Sequence, residues 1–158
     1  TEKTVMDLLP SNLWRLRLFP VGRLDKDTTG LLLLTNDGDF AHQIISPKSH
    51  VQKSYVAKVD GIPDEADVRA FRDGVVLKDG TVCLPAGLEI DGTDTCRVIL
   101  QEGKYHQVKR MLAARGKPVL QLRRVSIGGL QLDETLSPGS IRALSEEERQ
   151  LALVKLPL

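Results

Sequence analysis

The sequence predicts an α+β fold, with a largely antiparallel mixed sheet and flanking helices. Segments with the alternation or apolar content of strands are numerous, but helices do not separate them at the spacing of βαβ units. Hydrophobic residues make up 41% and charged residues 27% of the 158 residues, which is typical of globular domains and not of disordered chains. A chain of this length predicts one domain with a core of its own.

Short elements separated by proline and glycine are predicted in the first part of the chain. Pro10 ends a first helical turn, the apolar run Leu31–Leu34 has the character of a buried strand, and Asn36-Asp37-Gly38 is a turn. The predicted elements are, in order, a helical turn over 4–9, an extended segment over 13–19, a strand over 30–35, a helix over 39–45 and an alternating strand over 53–60.

Three further helices and several strands are predicted in the rest of the chain. Gly116 is a C-terminal stop for one helix, and Ser145 with Glu148 forms a capping box that opens the last one. The predicted elements are a helix over 64–72, strands near 81–84, 87–90 and 96–101, a helix over 105–115, extended segments over 119–125 and 129–132, and the capped final helix.

Composition excludes several classes of protein. The two cysteines, Cys83 and Cys96, are too far apart for a Cys-x-x-Cys pair, so a disulfide scaffold and a cysteine zinc site are excluded. The three histidines are too scattered for a metal site. The longest apolar run has four residues, whereas a membrane span needs about 20. No signal-peptide pattern opens the chain, and a cytoplasmic protein is the expectation.

One segment is strongly basic although the net charge is only +1. Residues 103–124 contain no acid and seven basic side chains: Lys104, Lys109, Arg110, Arg115, Lys117, Arg123 and Arg124. A basic surface on a neutral protein is expected of a polyanion binder. The alternative is a solvated helix face without a partner.

The loop Gly22–Gly30 carries the first candidate for chemistry. Asp25, Asp27 and Thr29 occupy alternating positions like those of a calcium-binding EF-hand loop, but the residue that should be a bidentate Glu is Asn36. A strand also follows the loop where an EF-hand needs a helix. The remaining local interpretation makes Asp25 a turn residue whose carboxylate accepts backbone N–H bonds.

Two more segments complete the set of candidates. Lys53-Ser54-Tyr55 lies on the alternating strand, where a tyrosine ordinarily packs in the core. In Glu102–Leu112, the apolar side chains follow a helical stripe, and His106, Lys109 and Arg110 fall on the opposite arc. Such a face can bind phosphate or a carboxylate, or can simply be solvated.

Taken together, the three segments closely resemble the signature segments of RNA pseudouridine synthases. They read Gly-Arg-Leu-Asp-x-x-Thr-x-Gly-Leu from Gly22, Lys-x-Tyr from Lys53, and Glu-Gly-Lys-Tyr-His-Gln-Val-Lys-Arg-Met from Glu102. The tail from Leu122, with Ile127-Gly128-Gly129-Leu130 and Pro138-Gly139, resembles the RsuA type, which modifies small-subunit ribosomal RNA. The resemblance implies the pseudouridine synthase catalytic fold.

The resemblance also implies roles for individual residues. Asp25 matches the catalytic aspartate, Tyr55 the tyrosine that contacts the target base, and Lys109 the cation that pairs with the aspartate. Leu122 matches an apolar residue of the uracil pocket, and Arg23 a residue that handles the RNA backbone. Four more positions of the same segments are expected to bind substrate: Lys53, His106, Arg110 and Arg124.

The expected reaction converts a specific uridine of 16S ribosomal RNA, free or in the assembling small subunit, to pseudouridine. It needs no cofactor and no metal, because the base is detached and rejoined without redox change. Whether Asp25 attacks C1′ or removes a proton from C2′ stays open. One alternative is a large-subunit rRNA synthase, but Lys109, where those enzymes have arginine, argues against it. The other is a non-catalytic RNA-binding or ribosome-assembly module, which would have no use for the Asp25 carboxylate.

Residues 1–158 are expected to form one catalytic domain that acts as a monomer. Relatives of the RsuA type usually begin with a small S4 RNA-binding domain, followed by an Asn-Lys-Pro-x-Gly strand. Both are absent from this sequence.

Overall fold

The computed structural model describes residues 4–157. The strands are β1 Phe19–Pro20, β2 Thr28–Gly30, β3 Leu34–Thr35, β4 Lys53–Val59, β5 Gly87–Ile90, β6 Thr95–Leu100, β7 Val119–Ile127 and β8 Leu130–Gln131. The α-helices are α1 Gly38–Ile45, α2 Glu65–Asp73, α3 Gln107–Ala114 and α4 Glu146–Leu151. Three 3-10 helices cover Val5–Leu8, Ser11–Leu16 and Pro47–Ser49.

The main sheet has six strands and is mixed, as the sequence predicts. Five strands follow the order β2-β7-β4-β6-β5, and β8 also pairs with β7. The β2–β7 pair is parallel and the other pairs are antiparallel. β1 and β3 form a separate two-stranded ribbon. The α+β fold class is therefore confirmed.

The predicted strand is confirmed as β4, and its burial alternates in the second half, whereas Ser54 near its start is buried as well. Ala57 and Val59, on the face shared with Lys53 and Tyr55, are fully buried, whereas Lys58 on the other face is exposed. The first face packs in a core that also contains Met111 and Leu112 of α3. A second core cluster lies around α1. Strand β4 thus connects the sheet to the helix that carries the third signature segment.

Helix starts agree with the capping residues in the sequence. Asp37 caps α1, the side chains of Asp64 and Asp67 form a capping box at α2, and Ser145 with Glu148 forms the one predicted at α4. The predicted first turn is the 3-10 helix Val5–Leu8.

Three predicted strands differ from the structure. Residues 13–16 are not extended, and only Phe19 of the predicted segment belongs to a strand, β1. A 3-10 helix begins after Pro10, and its turns are closed by local bonds such as Leu13 N–H to Pro10 O at 2.9 Å. The predicted strand 30–35 is divided, because the chain leaves β7 after Gly30 and then pairs with β1. At 81–84 only one bridge, Val76–Val82, forms, and the Leu84 N–H donates to the Glu102 carboxylate at 2.6 Å.

Asp67 is a fully buried carboxylate held by two residues of the basic segment. Arg115 Nε lies 2.8 Å and Lys117 Nζ 2.7 Å from its two oxygens. Burial alone would raise the pKa of Asp67, but the hydrogen bonds from Lys117, Arg115 and the Asp64 backbone outweigh it and lower the pKa below 3.8. Because the folded-state pKa is the lower one, this contribution to stability is present at neutral pH and lost as the pH falls through that value.

We expect Asp67→Asn to destabilise the fold at pH 7 by about 2 kcal/mol, because two charge-assisted hydrogen bonds weaken. Urea unfolding at pH 7 and pH 3 measures the effect, and the difference from wild type should narrow at pH 3. Asp91→Asn, at an exposed carboxylate, is the matched control and should change stability little at either pH. A deficit of the same size at both pH values would contradict the ionic role of Asp67.

Candidate active site

The sheet topology brings the three signature segments together. Antiparallel pairing of β4 with β6 sets Lys53, at the start of β4, opposite Leu100, at the end of β6. The third segment begins just after Leu100 and leads into α3. Strand β2, which follows the Asp25 loop, joins the same sheet through β7. Segments that are distant in the sequence therefore meet around one cleft.

The Asp25 loop is fixed by a turn and by a close contact between β2 and β7. The Thr28 N–H donates to the Asp25 carbonyl at 2.9 Å, which closes the turn before β2. At Gly30 the backbone has φ +113°, and a Cβ there would lie 2.1 Å from the Arg124 carbonyl oxygen. Only glycine allows this approach, so Gly30 holds the loop against β7.

Asp25 lies between two side chains of the third segment. Its carboxylate oxygens are 3.4 Å from His106 Nε2 and 3.6 Å from Lys109 Nζ. The Asp25 side chain is 28% exposed, so it is reachable from solvent but not fully hydrated. The structure thus places Lys109 beside Asp25, as the sequence predicts.

Lys109 also bonds to Asp27, a contact that the sequence does not predict. The hydrogen bond from Lys109 lowers the pKa of Asp27. Partial burial would lower the pKa of Lys109, but its hydrogen bonds and charge interactions with Asp27 and Asp25 raise it. Lys109 therefore stays positively charged, although two carboxylates share it.

Helix α3 begins at Gln107, two residues later than predicted, and His106 precedes it in a left-handed conformation. The predicted apolar stripe is confirmed, since Val108, Met111 and Leu112 are 4%, 0% and 0% exposed. Burial of this stripe turns Lys109 to the opposite face, where it meets the Asp25 loop. From this left-handed position the His106 ring lies beside the same carboxylate.

A cleft of about 480 Å³ lies beside these groups. Asp25 and His106 line it together with Tyr55, which is half-buried, and Leu122, which is 7% exposed. Leu122 belongs to the core as well as to the cleft wall. Two of the three predicted catalytic residues, Asp25 and Tyr55, thus line a cavity large enough for a nucleoside. Lys109 is not among the lining residues and contacts the cleft through Asp25.

Lys53 and Arg124, both predicted to bind substrate, line the cleft but are buried rather than on its rim. Lys53 donates to the carbonyls of Ile44 and Val51 near the end of α1. Burial, together with the charge of Arg124, lowers the pKa of Lys53 to about 8.

Arg23 lines the cleft, whereas Arg110 does not. Arg23 is exposed and lines the cleft, as expected of a group that meets the RNA backbone. Arg110 is not among the residues that line the cleft. Its guanidinium lies 2.7 Å from Asp79 and 3.3 Å from the Tyr105 carbonyl. The structure therefore does not support Arg110 as a residue that binds substrate inside the cleft.

The basic segment does not form the free cationic face that the sequence predicts. Each of its side chains has a partner within the chain: Lys104 with Glu102, Lys109 with Asp25 and Asp27, Arg110 with Asp79, Arg115 and Lys117 with Asp67, Arg123 with Glu134, and Arg124 with the Leu31 carbonyl. The exposed pairs are weak and can exchange partners with phosphate. The Asp67 pairs are structural.

Two cleft residues were missed by the sequence analysis. Tyr105 is 68% exposed and stacks on the His106 ring, with centroids 3.8 Å apart. Thr28 is 9% exposed and faces the cleft from the start of β2. A tyrosine next to a predicted site histidine was the available signal for the first. Thr28 is a fixed position of the first signature segment, which was the available signal, but the pattern of the strand alone does not assign it a role.

A larger cavity, of about 890 Å³, has a different character. Its walls are mostly apolar and come from 5–18, 31–34 and 130–144, and it contains none of Asp25, Tyr55 or Lys109. Within residues 4–157, no three His, Cys, Asp or Glu side chains are grouped to hold a metal ion. No helix in the same range is both long and apolar enough to cross a membrane.

Comparison with known proteins agrees with this geometry. A family model described as RNA pseudouridylate synthase matches residues 2–114, which include Asp25, Tyr55 and Lys109. The chain belongs to this family. Its cleft is therefore that of a pseudouridine synthase fold, with the three signature segments in their expected places.

Curated relatives and a solved structure support the same assignment. An uncharacterised RNA pseudouridine synthase of Bacillus subtilis is 44% identical over 154 residues, covering 95% of this chain and 64% of that protein. Ribosomal small subunit pseudouridine synthase A of Escherichia coli is 44% identical over 133 residues, covering 84% and 58%. A crystal structure of a pseudouridylate synthase superposes with a TM-score of 0.89 at 40% identity, covering 96% and 65%. The chain thus spans about 58–65% of the length of these proteins.

Proposed function

We propose that this protein converts a uridine of small-subunit (16S) ribosomal RNA to pseudouridine. The observation that carries the proposal is the Asp25 carboxylate, held 3.4 Å from His106 and 3.6 Å from Lys109 at the wall of a cleft that also exposes Tyr55. The similarity to small-subunit synthases supports the choice of RNA. The reaction belongs to ribosome biogenesis, and we place it in the cytoplasm.

The chemistry breaks the N1–C1′ bond of uridine and joins C5 of the same base to C1′. C5 loses a proton and N1 gains one, so no redox partner is required. Asp25 acts at the sugar, as nucleophile at C1′ or as base at C2′, and Lys109 balances its charge. Tyr55 and Leu122 hold the detached uracil so that it turns without leaving.

The target nucleotide must leave its stack before Asp25 can reach the sugar. An unpaired or flipped uridine enters the cleft base first, while the RNA backbone stays at the rim. Arg23 and Lys104 are exposed cations that line the cleft, and the exposed ring of Tyr105 offers a surface on which a neighbouring base can stack. The cleft thus contacts one nucleotide deeply and its neighbours superficially.

Mapping of pseudouridines in ribosomal RNA tests the proposal. We expect one small-subunit pseudouridine to disappear in cells that lack the gene, to return with the wild-type gene, and to stay absent with Asp25→Asn. If every pseudouridine persists in cells that lack the gene, the enzymatic assignment is wrong, and the alternative of a non-catalytic RNA-binding module is favoured. Loss of a large-subunit pseudouridine alone would overturn the choice of RNA.

A further inference from the structure

Two buried cations lie together in the cleft, and the hydrogen bonds they make leave their charge unneutralised. Lys53 and Arg124 are 9% and 5% exposed. Lys53 donates to two backbone carbonyls, and Arg124 Nε donates to the Leu31 carbonyl at 2.8 Å. Carbonyl oxygens satisfy donors but carry no formal charge. This part of the cleft therefore favours a ligand group with negative or developing negative charge.

Two polar atoms of the same region are buried without a partner among residues 4–157. They are Arg124 Nη2 and Thr28 Oγ1. Both residues line the cleft, and strands β2 and β7 bring them close, with Thr28 paired to Leu122 and Gly30 paired to Arg124. A buried donor without an acceptor destabilises a fold, so such groups point to a function.

The position of Arg124 relates it to the base-contacting residue. In the β4–β7 register, Arg124 lies opposite Tyr55. Its Nε bond to Leu31 fixes the guanidinium plane and leaves Nη2 free for a ligand. The arginine is thus preorganised before substrate enters.

We propose that Arg124 and Thr28 donate hydrogen bonds to one carbonyl oxygen of the target uracil and stabilise the negative charge that forms on the base. The inference rests on the proposed function. When the N1–C1′ bond breaks, its electron pair moves to N1 and is shared with O2 and O4. When C5 bonds to C1′, C5 loses its proton, N1 is protonated and the base is neutral again.

The depth of the site favours the base over a phosphate. Asp25 reacts at the sugar, and a base attached to C1′ projects from the sugar into the cleft. The phosphates remain linked to the rest of the RNA and stay near the rim. The groups that reach a side chain that is 95% buried are therefore the edges of the base.

The same donors discriminate between pyrimidines. The N–H groups of the Arg124 guanidinium donate hydrogen bonds and cannot accept them. A uracil carbonyl satisfies them, whereas the 4-amino group of cytosine would place a second donor against them if O4 is the oxygen bound. With O4 as the bound oxygen, Arg124 is a specificity residue as well as a residue that stabilises charge; with O2 it stabilises charge alone.

Thr28→Val is the sharpest test, because it replaces the unpartnered hydroxyl by a methyl group of similar size. A purely structural threonine would leave turnover unchanged. We expect Thr28→Val to melt at or above the wild-type temperature and to lose about 10-fold in kcat on RNA containing the mapped uridine, with KM changed less.

Single-atom changes in the substrate identify the oxygen. Arg124→Met should lose roughly 100-fold in kcat on uridine RNA. The same variant is tested on RNA with 4-thiouridine or 2-thiouridine at the target, in which sulfur, a weak acceptor, replaces O4 or O2. The loss should shrink to less than about 10-fold on the RNA whose sulfur replaces the oxygen that Arg124 contacts, and should stay unchanged on the other. Arg72→Met, at an exposed helix position, is the control and should not change rates on any of the three RNAs.

Several outcomes would overturn the inference. One is an unchanged kcat in Thr28→Val. Another is a loss of kcat in Arg124→Met that is equal on RNA with uridine, 4-thiouridine or 2-thiouridine, which is the result that a contact with phosphate would give. If Arg124→Met does not fold, Arg124→Lys serves in the same comparison. Wild-type protein that forms no pseudouridine at all would instead overturn the proposed function.

Discussion

Asp25→Asn is expected to abolish isomerisation while RNA binding is largely retained. The amide keeps the shape of the carboxylate but cannot act as a nucleophile or as a base, so turnover should fall by more than roughly 10³-fold. The side chain is only 28% exposed and its neighbours are His106 and Lys109, so the substitution removes a charge without opening a cavity. Single-turnover assays on the mapped RNA and filter binding of the same RNA separate the two effects.

Asp27→Asn is the matched control for this prediction. Asp27 shares Lys109 with Asp25, but its side chain is 75% exposed and lies outside the residues that line the cleft. Without its carboxylate, Lys109 keeps Asp25 as a partner, and turnover should change little. Equal losses in the two variants, or a requirement for added calcium, would contradict the role given to Asp25.

The elements predicted correctly are those whose signals are local. Helices α2 and α4 begin where Asp64 and Ser145 provide a capping group, and burial alternates in the second half of β4, over Ala57–Val59. The 3-10 helix over Ser11–Leu16 was missed because short i to i+3 turns have no apolar period of their own. Residues 30–35 were wrongly joined, since nothing local shows that the chain changes partner after Gly30.

Charge pairing is the feature that sequence reasoning predicted least well. Arg115 and Asp67 are 48 residues apart in the chain, yet they form a pair with a fully buried carboxylate. A segment without acids was therefore interpreted as a free cationic surface, whereas its side chains reach acids or carbonyls from other elements. Only the packing of α3 against the sheet and of α2 beside it reveals these partners.

The candidate site was predicted better than the surface around it. The three signature segments together predict that Asp25, Tyr55 and Leu122 line one cleft and that Lys109 lies beside Asp25. The burial of Arg124 was not predicted, because a basic residue on a strand is ordinarily exposed. Its depth became visible only with the β2–β7 pairing at Gly30.

Lys109→Ala is expected to cost most of the activity, and Lys109→Arg is expected to retain a substantial part. The Lys109 side chain is 24% exposed, and its Nζ lies 3.6 Å from the Asp25 carboxylate. Among the described residues, removal of Lys109 leaves His106 as the remaining ion-pair partner of Asp25. A loss of about 100-fold in kcat is typical of removing one preorganised charge from a site. Arginine keeps the charge, although its planar fork does not fit the space of the ammonium identically.

Arg110→Ala is the appropriate comparison, because Arg110 is one residue further along α3 and pairs with Asp79 outside the cleft. Arg115 would be a poor comparison, since its loss also weakens the bonds to buried Asp67. If Lys109 were simply one cation of a basic helix, the two alanine variants would show similar small increases in KM and equal kcat. The contact with Asp25 predicts a different result. At saturating RNA, kcat should be low in Lys109→Ala and close to wild type in Arg110→Ala, because Lys109 contacts the reacting carboxylate and Arg110 does not.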